Sequence, residues 1–145
     1  LTILRKFEEG YNNPNGESWQ FDIAHGTDSG GSVLKGTIIE QSPSPAINFN
    51  CVTAQTINEN EWTNVIMTYA NKTIKIFING VESCSLTNYD ITLNTLGTSG
   101  ISIGMSVQAN GNWGPFDGSI DEVGIWNRAL TEQEVSNLYN YNSSD

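Results

Sequence analysis

The sequence predicts an all-β domain: two antiparallel sheets packed as a β-sandwich, with one short helix near the C-terminal end. Three observations carry this. Short apolar-alternating segments follow one another at sandwich spacing. An Asn79-Gly80 step joins two of them, and that dipeptide supplies the positive φ that a two-residue hairpin turn needs at both central positions. The helix is marked by a capping box at Thr131 to Glu134.

Leu1–Phe7 is apolar from its first residue. Chain termini are usually polar and frayed, so this start predicts a domain that begins upstream, with the 145 residues lacking its first strand or strands. Glu8–Glu17 is a loop by its Gly, Asn and Pro content. Ser18–His25 sets Trp19, Phe21 and Ile23 against Gln20, Asp22 and Ala24, the pattern of a half-buried strand. Gly26–Gly31 turns the chain, Ser32–Glu40 is a further strand, Ser42–Pro45 interrupts it and Ile47–Val52 resumes. Trp62–Ala70, Thr73–Asn79 and Val81–Leu86 form a meander. Ile74, Ile76 and Ile78 share one face of its middle strand, and Asn71-Lys72 forms its first turn. Ile101–Val107 is another strand, and the loop Gln108–Pro115 leads to a long strand over Phe116–Asn127. In the helix, Thr131 is the cap and Glu134 its reciprocal partner. Leu130 and Val135 occupy the positions of a hydrophobic staple, and Leu138 and Tyr139 extend that face. The helix is expected to bracket the sandwich.

Composition narrows the function classes. The chain is 37% hydrophobic and only 15% charged, and at this size it buries roughly two-thirds of its extended surface in one domain. Its net charge of −10, from 16 acidic and 6 basic residues, disfavours nucleic acid and anionic membrane as partners. No apolar run approaches the ~20 residues that span a bilayer. Few charges and many Asn and Thr residues point outside the cytoplasm. Cys51 and Cys84 are the only cysteines. Two readings stand for them: a disulfide, if their strands lie side by side, or two buried thiols.

Three stretches resemble the laminin-G-like/concanavalin A-like jelly-roll superfamily in its bacterial surface-protein form. They are Trp62-Thr-Asn-Val-Ile-Met-Thr-Tyr69, Ile76-Phe-Ile-Asn-Gly80, and the run from Phe116-Asp-Gly-Ser-Ile-Asp-Glu-Val-Gly-Ile-Trp126 through Val135. The third is the most specific, and with the spacing between them the resemblance covers roughly residues 18–140. It implies a single domain over 1–145 of jelly-roll type that binds sugar, protein or a surface. It also implies one or more strands ahead of Leu1–Phe7 that the sequence does not contain.

The same fold hosts glucanases, which resemble one another in a Glu-x-Asp-x-Glu strand whose carboxylates line one face about 5 Å apart. No such triplet occurs, and Asp121 and Glu122, as neighbours in a strand, would point to opposite faces. The expectation is therefore a non-enzyme.

Asp121 alternates in phase with Val123 and Ile125, which predicts an inward carboxylate. Such a group needs a partner: calcium, with Asp117 assisting, or backbone N–H groups. For ligand binding, Trp113 lies between Asn110, Gly111, Asn112 and Gly114 in a loop. Its ring suits stacking on a sugar and the amides suit bridging hydroxyls, although the ring would equally plug one end of the sandwich. Tyr11, among Asn12, Asn13 and Asn15, is a second loop of this kind. Trp19, Trp62 and Trp126 lie in expected strands and are assigned to the core.

The functional expectation is a carbohydrate-binding or adhesive module of a larger secreted or cell-surface protein, whose partners are carbohydrate, an extracellular protein surface and the other domains of its polypeptide. The competing readings are a structural or protein-interaction domain without a small ligand and, third, a glycoside hydrolase.

Overall fold

The structure, a computed structural model, describes residues 2–6, 19–25, 32–40, 47–88, 100–105 and 115–142. Among these lie β1 (Thr2–Lys6), β2 (Trp19–His25), β3 (Ser32–Glu40), β4 (Ile47–Ile57), β5 (Val65–Ala70), β6 (Thr73–Ile78), β7 (Val81–Thr87), β8 (Ile101–Ile103) and the helix α1 (Glu132–Asn142). The strands form a five-stranded sheet in the order β4-β3-β2-β1-β8 and a three-stranded sheet β5-β6-β7, all pairings antiparallel. β3 and β4 pack across β6 and β7. The expected two-sheet sandwich with one helix is the fold observed.

The core fills the space between the sheets because alternate residues of each strand meet there. Phe21 and Ile23 from β2, Leu34 and Ile38 from β3 and Cys51 from β4 pack on Ile74, Ile76 and Ile78 of β6. Gly36 lets the sheets approach closely: a Cβ there would lie 2.6 Å from Met67 Sδ. The meander follows its turn chemistry. Asn79 and Gly80 have φ of 50° and 76°, and Asn71 and Lys72 have 49° and 61°, so both turns use the positive-φ geometry that matches strand twist.

Two of the register shifts, in β4 and β7, adjust which face each residue serves. β4 runs on to Ile57, past the expected end at Val52, because its pairing with β3 shifts between Val33 and Lys35. The buried Thr53 hydroxyl fills the gap, donating to the Gln55 carbonyl at 2.9 Å and accepting the Leu34 N–H at 3.0 Å. In β7, Ile76 pairs with Cys84 and Phe77 with Glu82, which leaves Ser83 as the extra residue. In a regular ladder Glu82 and Cys84 would share a face. The bulge instead puts Glu82 beside the outward Phe77 and Cys84 beside the inward Ile76.

Cys51 and Cys84 form a disulfide, with their Cα atoms 6.0 Å apart. The strands that carry them do not lie side by side. β4 and β7 belong to different sheets, and the bond crosses the core between them.

Three expectations change. The residues 116–127 form no strand. Glu122 has φ of 51°, which breaks an extended course, and Val123, Ile125 and Trp126 are exposed rather than buried. β8 is limited to Ile101–Ile103. Trp62 precedes β5 and is 73% exposed, and Trp126 is 46% exposed with its ring folded back over Gly124. Neither belongs to the core, because neither sits on a paired strand whose alternation would carry it inward. Trp19 does pack against the core.

Candidate functional site

Four of the residues singled out for ligand binding, Trp113, Asn112, Asn110 and Tyr11, lie outside the described residues. Asp121 and Asp117 are described, and both are exposed. The inward orientation expected of Asp121 is not observed, because the strand that would have imposed it is absent. Its Oδ1 accepts the N–H of the next residue, Glu122, at 2.8 Å, which is a local turn contact. Among the described residues no three His, Cys, Asp or Glu side chains converge.

The outer face of the second sheet carries ordered rows of side chains, several of them polar. Val65, Met67 and Tyr69 of β5 turn to the core, so Ile66, Thr68 and Ala70 face outward. The register then builds cross-strand rows. Thr68 stands beside Lys75 and Ser85, Ala70 beside Thr73 and Thr87, and Ile66 beside Phe77 and Glu82. Thr73 and Thr87 share a hydrogen bond of 2.8 Å between their hydroxyls.

The helix is fixed over this face. Its capping box is formed in both directions: Thr131 Oγ1 accepts the Glu134 N–H at 3.2 Å, and Glu134 Oε2 accepts the Thr131 N–H at 2.8 Å. Arg128 clamps the same carboxylate with two bonds of 2.8 and 2.6 Å. These contacts, Arg128 foremost and the Thr131 backbone N–H next, hold Glu134 down at about 2. Val135, the staple residue, is fully buried, and Tyr139 closes on the Gly80 turn, where a Cβ would meet its ring at 3.1 Å.

Lys75 ties the helix start to the sheet. Its ammonium contacts Glu132 at 2.7 Å and Glu82 at 2.6 Å. The hydrogen bond to Glu132, then that to Glu82, pushes Lys75 up to about 12, and Lys75 in turn lowers Glu132. Between the sheet and the Ala129–Glu132 segment lies a groove of about 290 Å³. Sequence reasoning missed it. Lys75 and Glu132 are far apart in the chain, and the only available signal was the outward phase of Thr68, Lys75 and Phe77.

A family model described as the concanavalin A-like lectin/glucanases superfamily matches residues 6–136, nearly the whole chain. The chain belongs to this superfamily. The resemblance read from the Trp62, Ile76 and Phe116 stretches is thereby borne out. No curated protein matches the chain. Among solved structures, an S-layer domain-containing protein from Clostridium thermocellum ATCC 27405 is similar over 96% of this chain, with a TM-score of 0.52 and 23% identity. This concanavalin A-like domain spans 64% of that chain's length, and at such identity the likeness concerns the fold. No helix among the described residues is long and apolar enough to cross a membrane.

Proposed function

We propose that this concanavalin A-like domain is a non-catalytic carbohydrate-binding or adhesive module of a larger secreted or cell-surface protein. The observation that carries the proposal is membership of a lectin and glucanase superfamily over residues 6–136 in a sequence without a Glu-x-Asp-x-Glu strand. A retaining glucanase needs acid and nucleophile about 5 Å apart on one face, and that pattern is the simplest way for a strand to supply them. The cross-sheet disulfide supports an oxidising, extracytoplasmic setting. Similarity to a chain from an S-layer domain-containing protein supports a surface polypeptide with further domains.

Trp113, with Asn110 and Asn112, supplies the stacking ring and amides that sugar recognition uses, and Tyr11 is a secondary contact. Retention on a glycan array tests this. Wild-type chain is retained on at least one glycan, and Trp113→Ala loses that retention. Retention that survives the substitution moves the site away from the loop, and no retention on any glycan refutes carbohydrate binding.

A second reading, contact with another protein, draws support from one end of the second sheet. Trp62 before β5 and Val81 at the start of β7 flank the Asn79-Gly80 turn and are 73% and 66% exposed. A pull-down of the flanking domains of the same polypeptide, weakened by Trp62→Ala, is the outcome this reading expects.

A further inference from the structure

One edge of the five-stranded sheet is open both in its backbone and in its side chains. Among the described residues the strand order ends at β8. Gly104 donates its N–H to the Ile3 carbonyl at 2.9 Å, and Ile103 and Ile101 stand opposite Leu4 and Lys6. Bonded and non-bonded pairs alternate along an antiparallel ladder. Gly104 and Ser102 therefore direct their N–H groups toward β1, while the N–H and C=O of Ile101 and Ile103 point away from it. Those outward groups have no hydrogen-bond partner among the described residues.

The side chains repeat the pattern. Opposed residues share a face of the sheet, and Leu4 packs against the core, so Ile101 and Ile103 are in phase with the inner face. They are nevertheless 46% and 51% exposed. The sheets pack through β3 and β4 against β6 and β7, and β8 lies beyond that contact. Natural edge strands are commonly guarded by a charge, a proline or a bulge. The edge strands β4 and β7 each carry a register shift, whereas Ile101–Gly104 has neither a shift nor a charged or proline residue.

We propose that β8 is the seat of an added β-strand: an extended segment of a partner protein with alternating apolar side chains and flanking Lys or Arg. It continues the sheet by pairing with Ile101 and Ile103, and its apolar residues cover theirs. The basic flanks follow from charge. Phe116 donates its N–H to the Gly104 carbonyl at 2.7 Å, which brings the segment with the exposed Asp117 and Asp121 to the end of β8, in a chain of net charge −10. The same charge disfavours a second copy. The chain's own segment after Phe116 is a poor occupant, because the φ of 51° at Glu122 breaks its extended course. The site stands independently of the sugar reading above.

The test follows amide shifts and hydrogen exchange of the ¹⁵N-labelled full chain. The probe is the synthetic peptide acetyl-Lys-Val-Thr-Ile-Thr-Val-Lys-amide. In the free chain the amides of Ile101 and Ile103 exchange fast, and those of Ser102 and Gly104 are protected by β1. Peptide at about ten times its Kd slows Ile101 and Ile103 about tenfold. Proline in place of the peptide's central Ile removes a ladder donor and abolishes binding without altering the protein. Exchanging its Lys for Glu weakens binding by about tenfold, and so does Ile103→Glu, with a thermal melt showing that variant folded. Ile101 and Ile103 amides already protected in the free chain overturn the proposal: protection that is constant on dilution means that the chain covers its own edge, and protection that grows with concentration means that a second copy does. The absence of saturable shifts at millimolar peptide overturns it too, as does equal binding of the proline or Glu peptide.

Discussion

Breaking the Cys51–Cys84 bond is the perturbation whose size follows most directly from the architecture. The two cysteines are 33 residues apart in sequence. Closing a loop of that length removes about 12 cal/mol/K from the unfolded chain, or about 3–4 kcal/mol at 25 °C. Domains of this size shift by roughly 2–4 °C for each kcal/mol, so the loss corresponds to a fall of about 8–15 °C in melting temperature. The assay is a circular-dichroism melt of the same preparation with and without a phosphine reductant, with mass spectrometry reporting complete reduction. The variant Cys51→Ala/Cys84→Ala should fall by at least as much, because Cys51 is buried in the core cluster and its truncation also leaves a small void. A fully reduced chain melting within about 3 °C of the oxidised one would refute the reasoning, since the expected loss is several-fold larger. It would mean that β4 and β7 are not held face to face by this bond in the native state, or that the unfolded chain is already compact.

Other perturbations test the remaining contacts. Replacing Thr131 by Ala removes the helix cap and should cost about 1 kcal/mol in a denaturant melt; an unchanged midpoint would mean that the Arg128–Glu134 clamp alone holds the helix start. Glu134 is lowered from 4.5 to about 2, so its contribution is complete above pH 4.5 and disappears as pH falls through about 2. A pH series of melts on Glu134→Gln should therefore lack part of the acid-side decline seen in wild type. Gly36→Ala pushes a methyl group to 2.6 Å from Met67 Sδ and 3.3 Å from Ile76 Cδ1, and should destabilise by about 1–3 kcal/mol. Combining it with Met67→Ala should show a non-additive recovery in a double-mutant cycle. The calcium expectation at Asp121 is tested by melts with Ca²⁺ and with chelator: a stabilisation by Ca²⁺ that Asp121→Asn abolishes supports it, and melting curves identical in both conditions reject it.

Local chemistry made much of the fold legible. The Asn79-Gly80 turn, the Ile74, Ile76 and Ile78 alternation and the Thr131–Glu134 capping box each depend on residues within a few positions of one another, and each appears as read. The failures are all cases in which a distant partner decides. Phe116–Asn127 has the alternation of a strand, but a strand exists only where another backbone pairs with it, and the positive φ of Glu122 leaves no trace in a period-two pattern. Trp62 was assigned inward from a strand that begins only at Val65. The bulge residues Thr53 and Ser83 cannot be recognised from periodicity, because a bulge changes phase without changing composition. The groove joins β5 and β6 to a segment more than fifty positions later, so sequence alone showed its parts without their meeting.

The extra residue in β7 has a consequence for how the chain reaches one state. If β7 paired with β6 as a regular ladder from Val81 onward, Ser83 would oppose Ile76, and Cys84 and Leu86 would swing to the outer face. Such a hairpin keeps the same turn and nearly the same hydrogen bonds, so backbone pairing discriminates weakly against it. Cys51, however, waits on the inner side, and a cysteine on the far face of the sheet cannot reach it. Oxidation is therefore available only to chains that have placed Ser83 out of the ladder. The covalent bond acts as a ratchet on alignment: slipped hairpins stay reduced and free to rearrange, while correctly phased ones are withdrawn from the exchange.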